Sequence, residues 1–181
     1  SQNVAISGAT CFNITAANVT LNCAGFNITG NNAINTYGVY SNRSNTTIKN
    51  CNIKDFRGGC CSTGIGIASG GSHTIANNKL INNVAGLKLF PLSNSNYNRI
   101  INNTATGSTA AGFLLQTGYN NFTNNTAYSN IGPGFTYQGP DANFNIFSGN
   151  IAINNTGSGF NLQPGPAPTG AKLNVFENNF I

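Results

Sequence analysis

Residues 97–108 read YNRIINNTATGS, and residues 119–130 read YNNFTNNTAYSN. Each phrase is rich in asparagine and carries one central apolar residue, Ile100 or Phe122. With that residue as position zero, the position recurs at Leu21, Ile48, Ile75, Ile100, Phe122, Phe147 and Phe176, in steps of 27, 27, 25, 22, 25 and 29 residues. Five positions on stand Phe26, Ile53, Leu80, Ala105, Ala127, Ala152 and Ile181. Three after zero stand Asn78, Asn103, Asn125, Asn150 and Asn179, with Cys51 and Ala24 in the two earlier slots. Two before zero stand Val19, Thr46, His73, Asn98, Asn120, Asn145 and Asn174.

A second phrase, glycine followed by apolar-x-apolar, starts at Gly38, Gly64, Gly86, Gly112, Gly134 and Gly159. Its expected buried pairs are Ile65 with Ile67, Leu87 with Leu89, Phe113 with Leu115, Phe135 with Tyr137, and Phe160 with Leu162; Val39 meets Ser41 instead. Alternation over three or four residues is strand-like, yet a strand that short has no independent stability. Two or three such strands within a period of about 25 residues are satisfied by a coil stacked on copies of itself, which is a solenoid. Neighbouring coils then pair as parallel strands about 4.8 Å apart, and seven of them make a rod of roughly 30 Å. Equivalent residues lie above one another, so stacked Asn side chains pair amide to amide along the axis. The phrase repeats because each copy hydrogen-bonds to the next.

Composition supports order. Asn accounts for 35 of 181 residues and only 11 residues are charged, but the 39% hydrophobic content is placed regularly, unlike that of a disordered polar chain. The net charge of +5 comes from eight basic residues spread without a run, so a phosphate-neutralising face for nucleic acid is not expected. No apolar stretch reaches membrane-spanning length. The chain starts at Ser1 and holds no Met, which fits a processed or cropped form.

The wording NVTLNCAGFNITG at 18–30, YGVYSNRSNTTIKNCNI at 37–53 and the Asn-x-x-apolar units after 97 resembles the right-handed parallel β-helix repeat proteins. These include the carbohydrate-binding and sugar-hydrolysis type of repeat and the nitrous-oxide-reductase maturation copper proteins. The opening CFNITAANVTLNC is similar to the first coil of Asn-rich archaeal cell-surface β-helices, in which an Asp is often found where Asn22 stands. The resemblance implies an all-β, single-stranded right-handed parallel β-helix of about seven coils. It would form one domain over 1–181, with 1–36 a disulfide-stapled first coil and 37–181 regular coils. The same fold carries lyases, hydrolases, adhesins and structural proteins, so it assigns no function.

Sugar hydrolysis needs paired carboxylates, and lyase chemistry needs acidic calcium ligands beside a base. Asp55, Asp141 and Glu177 are the only acids and fall on separated coils. His73, the single histidine, occupies an Asn and Thr column and reads as a ladder substitute. No cofactor or metal is expected, although Cys51, Cys60 and Cys61, if reduced, make a soft-metal ligand set. The five cysteines, Cys11, Cys23, Cys51, Cys60 and Cys61, lack paired CxxC spacing and are expected to form disulfides in an oxidising compartment. Cys11 with Cys23, and Cys51 with Cys60 or Cys61, are the expected pairings, with one thiol left for another subunit.

Nine Asn-x-Ser/Thr sequons, at Asn13, Asn18, Asn27, Asn42, Asn45, Asn102, Asn121, Asn124 and Asn154, are candidate glycosylation sites. Two outer stripes remain. Thr20, Thr47 and Thr74 stack one before zero, and the column breaks at Arg99. Tyr97, Tyr119 and Phe144, three before zero, form a candidate sugar-facing stripe that also suits aromatic stacking between coils.

No capping helix is legible at either end: SQNVAIS is already strand-like, and KLNVFENNFI stops in mid-coil on Ile181. Either the chain is trimmed or something covers that end. Stacking one subunit on the next would cover it, and such head-to-tail contact produces filaments or tubes. The expected function is therefore a non-catalytic, extracellular structural protein that is its own partner in a filament, sheath or surface layer. The second reading is a carbohydrate-binding or adhesive module of a larger surface protein. A degraded polysaccharide-acting enzyme comes third.

Overall fold

The structure, a computed structural model, describes residues 2–6, 8–59, 61–91, 95–139, 142–164 and 173–181. Three seven-stranded sheets, parallel throughout, run the length of the molecule. The first stacks Val4–Ala5, Asn27–Thr29, Asn52–Lys54, Lys79–Ile81, Thr104–Thr106, Thr126–Tyr128 and Ile151–Ile153. The second stacks Phe12–Ile14, Tyr37–Ser41, Thr63–Ile67, Ala85–Leu89, Ala111–Leu115, Phe135–Gly139 and Phe160–Pro164. The third stacks Thr20–Asn22, Thr47–Lys49, Thr74–Ala76, Arg99–Ile101, Asn121–Thr123, Ile146–Ser148 and Val175–Glu177. The chain visits the three sheets in turn, so it is a β-solenoid of seven rungs.

The zero column is in register throughout: Leu21 opposes Ile48, Ile48 opposes Ile75, and the pairing continues through Ile100, Phe122 and Phe147 to Phe176. The column five positions on holds from Ile53 through Leu80, Ala105 and Ala127 to Ala152. In the first coil it slips by two residues, because Ile28, not Phe26, opposes Ile53. The cause is local. The Phe26 N–H donates to the Cys23 carbonyl at 2.9 Å, and Ala24 and Gly25 take positive φ, so an extra turn is inserted before the strand.

Core volume is conserved between the sheets. Where the zero column changes from Ile to Phe at Phe122 and the second sheet brings in Phe113 and Phe135, the first-sheet column has become Ala105, Ala127 and Ala152. Phe113 lies over Phe135 at 4.8 Å and edge-on to Phe122 at 6.4 Å, filling the space that the alanines leave. The glycine that opens each second-sheet phrase has a steric cause: a Cβ on Gly112 would stand 2.7 Å from the Gly134 carbonyl oxygen one rung on. Leu162, expected in the core, is 52% exposed and Phe160 is half-buried, because their strand is the terminal one of its sheet.

Each of the three corners is built from a dipeptide with two jobs. At one corner Asn77, Asn102, Asn124, Gly149 and Asn178 take positive φ, which turns the chain at little cost for Asn or Gly. The next residue is Asn78, Asn103, Asn125, Asn150 or Asn179, and it forms the ladder. The Asn78, Asn103, Asn125 and Asn150 amides each donate to the Oδ1 of the next rung at 2.9–3.0 Å. The corner before zero repeats the scheme: the Asn98 and Asn120 amides donate to the Oδ1 of Asn120 and Asn145, and the Asn145 backbone N–H donates to Asn174 Oδ1. A third ladder, absent from the sequence reading, runs eight positions after zero through Asn83, Asn130 and Asn155. Ser108 interrupts it, and its buried hydroxyl has no hydrogen-bond partner.

Candidate functional site

The cysteines pair differently from the expectation. Cys23 is bonded to Cys51, one period away at a separation of 28 residues. The expected Cys11–Cys23 pairing places both cysteines on the flanks of one coil. In a solenoid the spatial neighbour lies one coil on, while Cys11 enters the second sheet, where its N–H donates to the Tyr37 carbonyl. Cys51 stands in the ladder column, and its N–H donates to Asn78 Oδ1 at 3.0 Å. The corner is thus covalent between the first two rungs and hydrogen-bonded from there on. Cys51 is consequently not bound to Cys60 or Cys61. Cys11 is a half-buried free thiol whose pKa burial pushes up, Cys61 is exposed, and Cys60 lies outside the described residues.

His73 is a fully buried ladder member. Its Nδ1 accepts from the Thr46 N–H at 3.2 Å, and its own N–H donates to Asn98 Oδ1 at 2.9 Å. The Nε2 lies 3.0 Å from the Ser69 carbonyl, which fixes the tautomer with the proton on Nε2. Burial lowers the imidazole pKa from its ordinary value, and the Ser69 carbonyl partly opposes this.

Asp55 sits at a positive-φ corner after the third rung of the first sheet, and Glu177 lies on the seventh rung of the third sheet. Between four and five rungs separate them, about 22 Å along the axis. Asp141 is outside the described residues. Among the described residues no group of three or more His, Cys, Asp or Glu side chains is placed to hold a metal ion. Eight of the nine sequon asparagines are exposed, Asn27 being half-buried. Asn18, Asn45, Asn102, Asn124 and Asn154 occupy positive-φ corner positions. The Thr20, Thr47 and Thr74 column lies in register on the outer face of the third sheet and passes to Arg99.

The aromatic stripe is the most distinctive outer feature. Tyr97, Tyr119 and Phe144 are 64%, 44% and 40% exposed. Their rings stack at 5.2 and 4.8 Å along the axis. They belong to a column, Asn18, Asn45, Ser72, Tyr97, Tyr119, Phe144 and Leu173, in which every member has positive φ between 52° and 61°. The first two rungs use Asn, which tolerates that geometry, and the last four use bulky residues, which do not. The left-handed backbone costs each bulky residue roughly 1–2 kcal/mol. Ring stacking returns about 0.5–1.5 kcal/mol per pair, and partial burial brings the sum near balance. The aromatics therefore add little stability over Asn while leaving apolar surface in water. Ile146 and Val175, exposed at 41% each and paired across rungs, extend this surface on the same outer face.

Among the described residues no helix is long and apolar enough to cross a membrane. A family model described as a right handed beta helix region matches residues 37–181, well over half of the chain. No curated protein and no solved structure matches.

Proposed function

This chain belongs to the right-handed β-helix family, and from that premise we propose that it is a non-catalytic, extracellular structural protein that self-assembles by stacking one solenoid on the next. The family includes enzymes and non-enzymes, so the assignment rests on what these columns present.

The observation that carries it is the unbroken axial register of the columns: the core residues oppose one another from Leu21 to Phe176 and the Asn amides from Asn78 to Asn179, so each rung presents the pattern on which a further rung can be laid. Seating one copy's solenoid end-on against another's continues the core columns and the ladders. The contact is heterologous and does not close, so it propagates into a filament, which is the unit of a sheath or surface layer.

Further features support the reading. The roughly 22 Å between Asp55 and Glu177 exceeds the 5–9.5 Å of glycosidase carboxylate pairs. The Cys23–Cys51 disulfide suits an oxidising compartment. The exposed sequons favour a secreted glycoprotein. Sedimentation velocity tests the assembly: wild-type particles grow with concentration, and Ile181→Lys, which places a charge in the contact, stays monomeric. Equal behaviour of the two proteins would refute stacking through this end.

A second reading, a carbohydrate-binding or adhesive module, is favoured by one observation, the exposed aromatic column at Tyr97, Tyr119 and Phe144. Retention on immobilised glycans that disappears when all three are changed to Asn would establish it.

A further inference from the structure

We propose that the head of the aromatic column is a binding site for a single pyranose ring of a glycan, seated on the free face of Tyr97 beside Ser72. The inference deepens the second reading above and is independent of whether the chain polymerises.

The column's register defines the site. Because every member has the same left-handed backbone, successive side chains leave the corner in parallel and superimpose along the axis. Backbone bonds confirm the alignment: the Asn45 N–H donates to the Gly71 carbonyl, and the Ser72 N–H to the Asn96 carbonyl. Toward the last rung, Tyr97 is covered by Tyr119, and Tyr119 by Phe144. Toward the first rung the next member is Ser72, whose side chain is too short to cover a ring. That is why Tyr97 is 64% exposed and Tyr119 only 44%.

Beyond Ser72 comes Asn45, whose Nδ2 is held on Asn18 Oδ1 at 2.8 Å. Asn45 and Tyr97 are two rungs apart, about 9.6 Å. The Asn45 amide hydrogen-bonds along the axis and so turns an edge toward the gap, and one ring fits between that edge and the Tyr97 face. The slot therefore has an aromatic floor, a polar amide edge opposite it and a hydroxyl at its back.

Those groups select the occupant. The Tyr97 face takes the C–H face of a sugar, while Asn45, Ser72 and the neighbouring Thr74 offer hydrogen bonds to its hydroxyls. The rest of the stripe is poorly suited, because stacked rings spend their faces on one another and present only edges. In the two outer columns from the second to the fifth rung the residues are Asn45, Ser72, Tyr97, Tyr119, Thr47, Thr74, Arg99 and Asn121. Arg99 is the one charged member, two residues from Tyr97 on the same outer face and exposed. A carboxylated sugar is accordingly preferred over its neutral counterpart.

The test is titration of the intact chain with uronate-containing oligosaccharides and their neutral homologues, with folding of each variant checked by thermal unfolding. Ser72→Phe is the decisive variant, since it extends the stack into the slot at the backbone geometry that Phe144 already adopts. Ser72→Phe and Tyr97→Ala are each expected to weaken binding at least about tenfold, Tyr119→Leu to leave it nearly unchanged, and Arg99→Gln to abolish the preference for the uronate. Binding that survives Ser72→Phe but is lost with Tyr119→Leu would overturn the slot and leave the adhesive reading standing. Wild-type protein that retains neither oligosaccharide would overturn both.

Discussion

Asn125 Oδ1 accepts two hydrogen bonds from Asn103, one from its backbone N–H at 2.9 Å and one from its Nδ2 at 3.0 Å. The same side chain donates from Nδ2 to Asn150 Oδ1 and to the Ile100 carbonyl. A fully buried amide thus spends both donors and its acceptor along the solenoid axis, and its neighbours depend on it.

Two adjacent asparagines should therefore respond oppositely. Asn125→Ala takes the acceptor from the buried Asn103 backbone N–H, removes one of the three acceptors of the Asn103 Nδ2 and strips a donor from the Ile100 carbonyl, and should cost about 2–4 kcal/mol. Asn124→Gly, at an exposed corner with φ of 54°, should stay within about 0.5 kcal/mol of wild type. Denaturant unfolding of both variants measures this. Similar losses for the two would mean that the division of labour within the dipeptide is wrong.

Ser108 breaks the third ladder between Asn83 and Asn130, and its hydroxyl is buried without a partner. Ser108→Asn should bridge the gap, pairing with Asn83 on one side and Asn130 on the other, and raise stability by about 1 kcal/mol. A melting temperature at or below that of wild type would show that the corner has no room for the amide.

Removing the Cys23–Cys51 bond by a double Ser substitution should cost about 3–4 kcal/mol, the loop-closure value for a separation of 28 residues. The loss should be local. Hydrogen exchange is expected to accelerate in Phe12–Ile14, Thr20–Asn22 and Asn27–Thr29, and to remain slow in Asn121–Thr123 and Thr126–Tyr128. Uniform acceleration along the solenoid would contradict a staple confined to the first rungs.

His73 makes stability depend on pH. Its folded pKa lies below the ordinary value of 6.5, because burial disfavours the charged ring. Above 6.5 the imidazole is neutral in both states and its contribution is fully present. As pH falls through 6.5 the unfolded chain takes up the proton first, so stability declines until the folded pKa is passed and then levels off. The proton would also displace the Thr46 N–H from Nδ1. His73→Asn, the residue used at 98, 120 and 145, should flatten this part of the profile. An unchanged acid slope would mean that His73 is not its source.

The architecture was legible because a solenoid writes its contacts as periodicity: the zero column and two of the three Asn ladders are visible in the chain and hold in register. The third ladder was hidden by Phe56 and Ser108, which interrupt its column, although the pairs at 82–83 and 154–155 carried the signal. The Phe26 slip was hidden because an inserted turn moves a register without disturbing composition. The disulfide differs from the expected Cys11–Cys23 pairing because two cysteines flanking one coil lie in different sheets, whereas in a stacked coil residues one period apart, such as Cys23 and Cys51, are neighbours. The aromatic stripe was visible as a column, but its left-handed backbone was not, since nothing in a Tyr or Phe announces positive φ. Function was the least legible layer, because stacking uses the same residue types whether the outer face is inert or binds a ligand.

The most direct test of the central claim is electron microscopy of the unreduced protein over a range of concentrations, combined with fibre diffraction of the concentrated material. Stacking predicts filaments one solenoid wide that lengthen with concentration and give a meridional repeat of about 4.8 Å. Isolated rods of roughly 30 Å at every concentration would contradict it.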